Sequence, residues 1–294
     1  MLFGSMTQTH IYSKARPSYL KWARITMLLT SVPCAFIVGW FLDEKPYLFR
    51  VVFPAAAVIS MIMSLYFFKV PSRNAEKKIQ TSQHGLLEEL SILKKDRRFL
   101  FFMLAFFTGT LAEKIVVPIN PIYFVDVLDL KYSEVGLAQG IVGPVLSVAG
   151  YFFWGNLLEK YRPITILIIC MLVKAVRPVL WALAGVEGMP AVGLITAGAA
   201  VFHFMVAGLE ISILLSVLRR SEGRAAPMYL GIHYIFLGVR GLLGPVIGVA
   251  IYRAGIEIQS IYWMVAAMVV AGAVVLYLFS VWEKRRITHE DSTA

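Results

Sequence analysis

Long apolar stretches, each about the length of a membrane-spanning helix, recur through the sequence. Eight can be delimited, at residues 22–42, 47–69, 99–126, 134–157, 163–185, 190–218, 227–253 and 257–282. A helix needs about 20 apolar residues to cross a hydrocarbon core of about 30 Å. None of the stretches alternates with a period of two, as a lipid-facing barrel strand would. The pattern predicts an all-α, polytopic membrane bundle with about eight transmembrane helices.

A polar and basic segment, residues 70–98, separates two of these stretches from the other six. It begins PSRNAEKKIQTSQ and then repeats leucine at helical spacing, at Leu86, Leu90 and Leu93. That spacing is typical of an amphipathic helix lying at the membrane interface. We therefore expect four parts: a two-helix unit at 1–69, a cytoplasmic linker at 70–98, a six-helix unit at 99–283 and a cytoplasmic tail at 284–294.

Composition and charge support a membrane location. With 59% hydrophobic and 16% charged residues, the chain is too apolar for a soluble domain. The net charge of +10 is the difference between 28 Lys and Arg residues and 18 Asp and Glu residues. If alternate loops face the cytoplasm, 20 of the Lys and Arg residues fall there and four fall outside. This bias predicts a multi-pass protein of the inner (plasma) membrane with both termini cytoplasmic, and it means that the basic residues orient helices rather than bind nucleic acid.

Motifs for catalysis, metals and cofactors are not found in the sequence. Cys34 and Cys170 lie inside predicted spans and have no metal-ligand spacing. We find no phosphate loop and no nucleophile elbow, so we expect neither an enzyme nor an ATP-driven pump, and no metal or cofactor. An intramembrane enzyme using Glu113 or His203 remains an alternative without a supporting motif.

Ionisable residues within the predicted spans are the candidate functional residues, because charge is costly at bilayer depth and usually faces a cavity or a partner. Three spans each place a polar pair at i and i+7, on one helix face: Glu113 with Asn120, His203 with Glu210, and His233 with Arg240. At about 1.5 Å per residue, Glu113 and Arg240 both lie about 20 Å from the cytoplasmic start of their spans. They are expected at one depth.

Two roles are predicted for these residues. The substrate would be bound by Glu113, Lys114, Asn120 and Arg240. Protons would be relayed by His203, Glu210 and His233, because histidine titrates near neutral pH. The alternatives are that the charges only neutralise one another between helices, and that the histidines only make packing hydrogen bonds.

Three further features concern helix shape and the remaining buried cations. Pro118 and Pro121 are expected to kink or break the third span near its outer end. Arg177 is expected to extend to the outer interface. Lys174 receives no predicted partner.

Two short motifs resemble those of the major facilitator superfamily of transporters. GNLLEKYRP at 155–163 lies in a tight turn and is similar to the family's G-x-L-x-D-R-x-G-R signature, although arginine and proline stand where the family has glycine and arginine. RGLLGPVIG at 240–248, which follows the basic loop sequence RRSEGRAAPMYLG, resembles the glycine-proline signature of the penultimate helix. The resemblance implies a conformational turn at Gly155, Glu159, Lys160 and Arg162, and helix packing through Gly241, Gly244, Pro245 and Gly248.

The six spans after the linker resemble the family's C-terminal lobe, and the two before it resemble the end of an N-terminal lobe. ARPSYLKWARI before the first span is similar to AAPMYLGIHYI before the seventh, as expected for a parallel repeat. The first four helices of the family would then have no counterpart. The resemblance implies secondary active transport of a small solute across the lipid bilayer by alternating access, with possible proton coupling. The alternative is a truncated, non-transporting remnant, or a lobe that needs a separately encoded N-terminal partner.

Overall fold

The computed structural model describes residues 15–44, 49–66, 96–221 and 226–292. The amphipathic helix predicted within 70–98 therefore lies outside the described residues, except for its last three positions. Every regular element within the described ranges is helical, which confirms the all-α prediction.

The described chain forms ten α-helices. They are α1 Arg16–Glu44, α2 Phe49–Tyr66, α3 Arg97–Val116, α4 Tyr132–Gly136, α5 Gly143–Lys160, α6 Pro163–Val173, α7 Val176–Ala184, α8 Ala191–Arg220, α9 Ala226–Arg253 and α10 Ile258–Ser292. Two π-helical turns, Ile122–Val127 and Leu137–Val142, accompany them. The second π-helical turn joins α4 directly to α5.

Six helical segments within the described ranges are long and apolar enough to cross a membrane. They are Arg97–Val116, Glu134–Lys160, Pro163–Ala184, Ala191–Arg220, Ala226–Arg253 and Ile258–Arg285. These correspond to the six spans predicted after the linker. The two predicted spans before it coincide with helices α1 and α2, within which Pro54–Met63 forms a shorter apolar helix.

Proline interrupts the third predicted span, as expected. Helix α3 ends at Val116, a turn covers residues 117–119, and the chain continues into the first π-helical turn. Pro121 has no N–H to donate to the carbonyl of Val117, so the α-helical ladder cannot continue there. Because of this break, Glu113 and Asn120 do not share the face of one continuous helix, and the i, i+7 prediction for this pair was wrong.

A second interruption, not expected from the sequence, divides the span at 163–185 into α6 and α7. Its turn lies at Lys174 and Ala175. Pro178 cannot donate to the carbonyl of Lys174, which instead accepts from the backbone N–H of Arg177 at 3.1 Å. The tightened turn places Lys174 and Arg177 within the bundle.

Two groups of helices build the bundle. Helix α3 packs along α9 and α10, whereas α8 packs along α5, α6 and α7. The α3–α10 contact is close because Gly109 meets Gly272, where an added Cβ would lie 2.7 Å from the Gly109 Cα. Helix α1 lies against α5 and α8. Outward-facing apolar residues such as Leu242 and Val246 on α9 are exposed, as expected for side chains that contact lipid.

Candidate substrate site in the membrane-spanning bundle

A buried ion pair links α3 to the break between α6 and α7. The Lys174 Nζ lies 3.2 Å from Glu113 Oε2, and the side chains are 0% and 13% exposed. Lys174, which sequence reasoning left unassigned, is therefore the nearest partner of Glu113. Removing one partner of such a pair would leave an uncompensated buried charge, which is strongly destabilising.

Arg177 lies one turn beyond Lys174 and is also buried, with 7% exposure. Its guanidinium carbon lies 3.6 Å from the centre of the Phe202 ring and 4.8 Å from that of Trp181. The expectation that Arg177 extends to the outer interface was wrong, because these two rings hold the guanidinium inside the bundle. Cation–π contacts of this kind contribute about 0.5–2 kcal/mol each.

Arg240 on α9 faces α3. Its guanidinium carbon lies 5.8 Å from the centre of the Phe106 ring, and the His233 ring centre lies 6.0 Å from the same ring. The shared face predicted for His233 and Arg240 is therefore confirmed on the continuous helix α9. Arg240 also interacts electrostatically with Glu113 and with Lys174.

His203 and Glu210 both face α5 from helix α8. His203 Nδ1 lies 3.2 Å from the Ser147 hydroxyl, and the Tyr151 hydroxyl donates to Glu210 Oε2 at 2.5 Å. Ser147 and Tyr151 are four residues apart, one turn of α5, which confirms the shared face predicted for this pair. Glu210 also forms an ion pair with Arg24 on α1, at 3.6 Å from Nε to Oε2.

Asn120 and Lys114 make contacts between helices. The Tyr262 hydroxyl on α10 donates to Asn120 Oδ1 at 2.8 Å, and the Tyr262 ring packs on Tyr123 and Trp181. At Lys114 the backbone of α3 lies directly against Gly244 of α9. Asn120 thus connects the segment after α3 to α10.

The family of the protein follows from comparing its sequence with models of known protein families. The model described as Major Facilitator Superfamily matches residues 7–218 and also residues 103–293. The chain belongs to the major facilitator superfamily. The two matches overlap over residues 103–218. A comparison with curated proteins found no match.

Membership of the major facilitator superfamily makes the chain a multi-pass membrane protein of a family that transports small solutes. The Glu113–Lys174 ion pair lies in the interior of that bundle, whereas the Glu210 side chain on α8 is 36% exposed. Within the described residues, no group of three or more His, Cys, Asp and Glu side chains could hold a metal ion.

The turn that resembles the superfamily's signature contacts helix α1. An added Cβ at Gly155 would lie 2.6 Å from Lys21 Cδ, so the absence of a side chain lets Lys21 lie across α5. The Lys21 Nζ donates to Asn156 Oδ1 at 2.6 Å. Glu159, Lys160 and Arg162 are exposed, and among the described residues none of them forms an ion pair. The turn's contact residues are therefore Gly155 and Asn156.

The glycine-proline motif of the superfamily lies along the contact between α9 and α3. A Cβ at Gly244 would overlap Lys114, and one at Gly248 would overlap the carbonyl oxygen of Ile115. Helix α9 continues through Pro245 without a break. Gly241 is exposed, with no described atom within 4 Å of an added Cβ, so the packing role expected for it stays a prediction.

Sequence reasoning missed four residues that complete the cluster, namely Lys174, Arg177, Tyr151 and Tyr262. Lys174 and Arg177 carried a signal, because two cations in one span are unusual at bilayer depth. Tyr151 and Tyr262 carried none, because tyrosine is common at membrane interfaces and only the packing reveals their hydrogen bonds.

Proposed function

We propose that this protein is a secondary active transporter that moves a small solute by alternating access. Its substrate site would lie around the Glu113–Lys174 pair, with Arg240 completing it from α9. The proposal rests on one observation: a buried, hydrogen-bond-deficient group of charges from separate helices lies inside a bundle of the major facilitator superfamily. Buried charge of this kind usually marks a substrate or ion pathway in membrane proteins.

Each residue has a proposed role. Arg240 binds the substrate, and Glu113 holds the cations when the site is empty and exchanges partners when substrate enters. Lys114 and Asn120 lie beside this group, on the same segment as Glu113. His203, Glu210 and His233 would carry protons if transport is proton-coupled. Support for that role comes from the direct contacts of His203 and Glu210 with the hydroxyl groups of Ser147 and Tyr151.

The proposed architecture assigns residues 99–283 to one transporter lobe and 1–69 to part of the other. Helix α1 packs on α5, and its Lys21 and Arg24 contact Asn156 and Glu210. These contacts lie between the two proposed lobes. They are positioned to hold the site closed at this end of the bundle in one conformation and to separate in the other.

The proposed location is the inner (plasma) membrane, with Arg220, Glu283 and the turn after α5 on the cytoplasmic side. The distribution of Lys and Arg among the loops supports this orientation. Arg220 donates to Glu283 at 3.0 Å at that end, linking α8 to α10. Both termini would then be cytoplasmic.

The first test is solute uptake by proteoliposomes containing the purified full chain, using labelled anionic, neutral and cationic solutes with and without a proton gradient. At least one solute should accumulate above empty liposomes. Arg240→Gln should lower its initial uptake rate by about tenfold or more, equivalent to about 1.4 kcal/mol of lost stabilisation. The matched control is Arg253→Gln, an exposed arginine at the end of the same helix, which should leave uptake unchanged. Wild-type uptake by the Arg240 variant would contradict the proposed site.

A second candidate is a lobe that works only with a separately encoded partner. The exposed face of α9 favours this candidate. Only 11% of the most apolar part of Ala226–Arg253 is buried, and a Cβ added at Gly238 or Gly241 would meet no described atom within 4 Å. Small residues of this type let a second helix approach closely. Under this candidate the full chain alone shows no uptake, and a separate reading frame encodes a protein with the further apolar spans. A lack of such spans would count against it.

A further inference from the structure

The charges of the proposed site do not balance. Lys174, Arg177 and Arg240 each interact electrostatically with the same carboxylate, that of Glu113. Three cations therefore share one anion inside the bundle, and Lys114 follows Glu113 on α3, so the excess is at least two positive charges. Uncompensated charge at this depth is costly, so a site of this kind favours a ligand that brings negative charge.

Glu210 does not remove the excess. It interacts electrostatically with Arg240, but it is paired with Arg24 and accepts the hydrogen bond of Tyr151. Each negative charge that Glu210 adds is thus matched by the positive charge of Arg24. The remaining neighbours, His203 and His233, are not acidic.

Two of the same residues also have unused hydrogen-bond donors. Among the described residues, the buried Nε atoms of Arg177 and Arg240 have no hydrogen-bond acceptor. The Lys174 ammonium, by contrast, has the Glu113 carboxylate at 3.2 Å. Buried donors are nearly always paired in native proteins, so the two arginine donors indicate a missing acceptor.

Aromatic rings lie near the two arginines of this group. Phe202 and Trp181 lie against Arg177, and Phe106 lies near Arg240. A ring that stacks on a guanidinium occupies its face and leaves its N–H groups pointing outward in the plane. Those in-plane groups match the paired oxygens of a carboxylate or a phosphate.

We infer that the site takes a small anion bearing carboxylate or phosphate oxygens and about two negative charges, bound by Arg177, Arg240 and Lys174 in exchange for part of their interaction with Glu113. The inference rests on the proposed function for the location of the site. It adds the chemical class of the substrate, which the family does not specify.

Binding can be measured on the full chain in nanodiscs at constant ionic strength. The probes are succinate, inorganic phosphate, the neutral solute glucose and the cation tetraethylammonium, each titrated by calorimetry and by thermal shift. Succinate or phosphate should bind saturably and raise the melting temperature of the protein. The difference between their affinities shows whether the site prefers carboxylate or phosphate. Glucose and tetraethylammonium should do neither. Equal binding of a neutral or cationic probe, or binding of no anion, would overturn the inference.

Three variants give effects of opposite sign, which a purely structural role would not produce. Arg240→Gln and Arg177→Gln should each weaken anion binding by about tenfold or more. Glu113→Gln should leave it equal or make it tighter, because the competing carboxylate is gone. Arg253→Gln is the control and should not change it. If the Arg177→Gln variant does not fold, the Arg240→Gln variant is used alone, because Arg240 is only half-buried. Unchanged anion affinity in Arg240→Gln overturns the inference.

This experiment separates two kinds of failure. Anion binding without uptake of any solute would leave the anion site standing and reject the transporter. Uptake of a neutral solute that depends on Arg240, without anion binding, would leave the transporter standing and reject the anion.

Discussion

Single glycines determine how closely α9 approaches α3, and therefore how near Arg240 lies to Glu113. At Gly248 the backbone of α9 meets the carbonyl of Ile115, and at Gly244 it meets Lys114. A methyl group at either position would push the two helices apart. Gly241, three residues before Gly244, is exposed and lies outside this contact.

The contrast between Gly248 and Gly241 gives a matched prediction. Gly248→Ala should destabilise the protein by about 1–3 kcal/mol, the usual effect of overpacking. Gly241→Ala should be neutral or stabilising by up to about 1 kcal/mol, because alanine favours a helix over glycine. Thermal unfolding of both variants in detergent or nanodiscs measures the difference. Equal melting temperatures would mean that the α3–α9 contact is not close at Gly248.

At the residue scale, the buried cations Lys174 and Arg177 raise the question of what offsets the cost of burying their charge. The ion pair with Glu113 offsets part of the cost of burying Lys174, and the cation–π contacts of Arg177 contribute about 0.5–2 kcal/mol each. The proposed ligand-binding role would account for the remaining positive charge, because the ligand would supply negative charge when it is bound.

Among the elements, the broken span α6–α7 supplies two cations of the proposed site, Lys174 and Arg177. Its turn at Lys174 and Ala175 arises because Pro178 cannot donate a hydrogen bond to the carbonyl four residues earlier. In a continuous helix, the direction of the Arg177 side chain relative to that of Lys174 would differ from the one seen here. The break thus sets the relative directions of Lys174 and Arg177.

Replacing Pro178 with alanine tests this explanation. Pro178→Ala restores the missing N–H, so a continuous helix should form and the amides of residues 174–178 should exchange with deuterium more slowly. Pro178 lies in the first turn of α7, where a missing N–H costs little, so stability should change little, whereas uptake should fall by about tenfold or more. Pro163→Ala is the control, because Pro163 occupies the first turn of α6, where a missing N–H costs nothing. Unchanged exchange at 174–178 would show that Pro178 does not cause the break.

On the scale of the whole molecule, α1 is the helix that connects the two proposed lobes. Its Lys21 lies on Gly155 and donates to Asn156, while its Arg24 pairs with Glu210. Glu210 in turn joins α5 through Tyr151. A movement of α1 away from α5 would therefore release both contacts together. This coupling is what alternating access between lobes would require.

Cross-linking tests this movement and the orientation in the membrane. Lys21→Cys with Asn156→Cys, in a background of Cys34→Ala and Cys170→Ala, should be linked by a short, cleavable, membrane-impermeant reagent added to the cytoplasmic side. Linked protein should lose uptake, and cleavage of the reagent should restore it, because the two helices can then separate again.

The two single-cysteine variants serve as controls and should keep their uptake after the same treatment. Full uptake by the linked protein would contradict movement between α1 and α5. If the reagent linked the two cysteines only when added to the outer side, the orientation in the membrane would be opposite to the proposed one.

Much of the architecture could be predicted from the pattern of apolar residues and prolines along the sequence. Apolar length predicted the six spans from 99 to 282, and proline predicted the end of α3 near Pro118 and Pro121. The i, i+7 spacing was right on α8 and α9, where the helix is continuous. It failed for Glu113 and Asn120, because the helix between them is broken.

The sequence by itself determined that the chain is an all-α membrane protein of this family and which charged residues lie within its long apolar spans. Hydropathy, helix periodicity and short motifs are local, so they can be read without knowing which helices are neighbours. Only the tertiary structure decided that Glu113 pairs with Lys174 and that Arg177 stays inside the bundle. The physical reason is that such partners come from different helices, and their meeting depends on where glycine permits close approach and where proline breaks a helix.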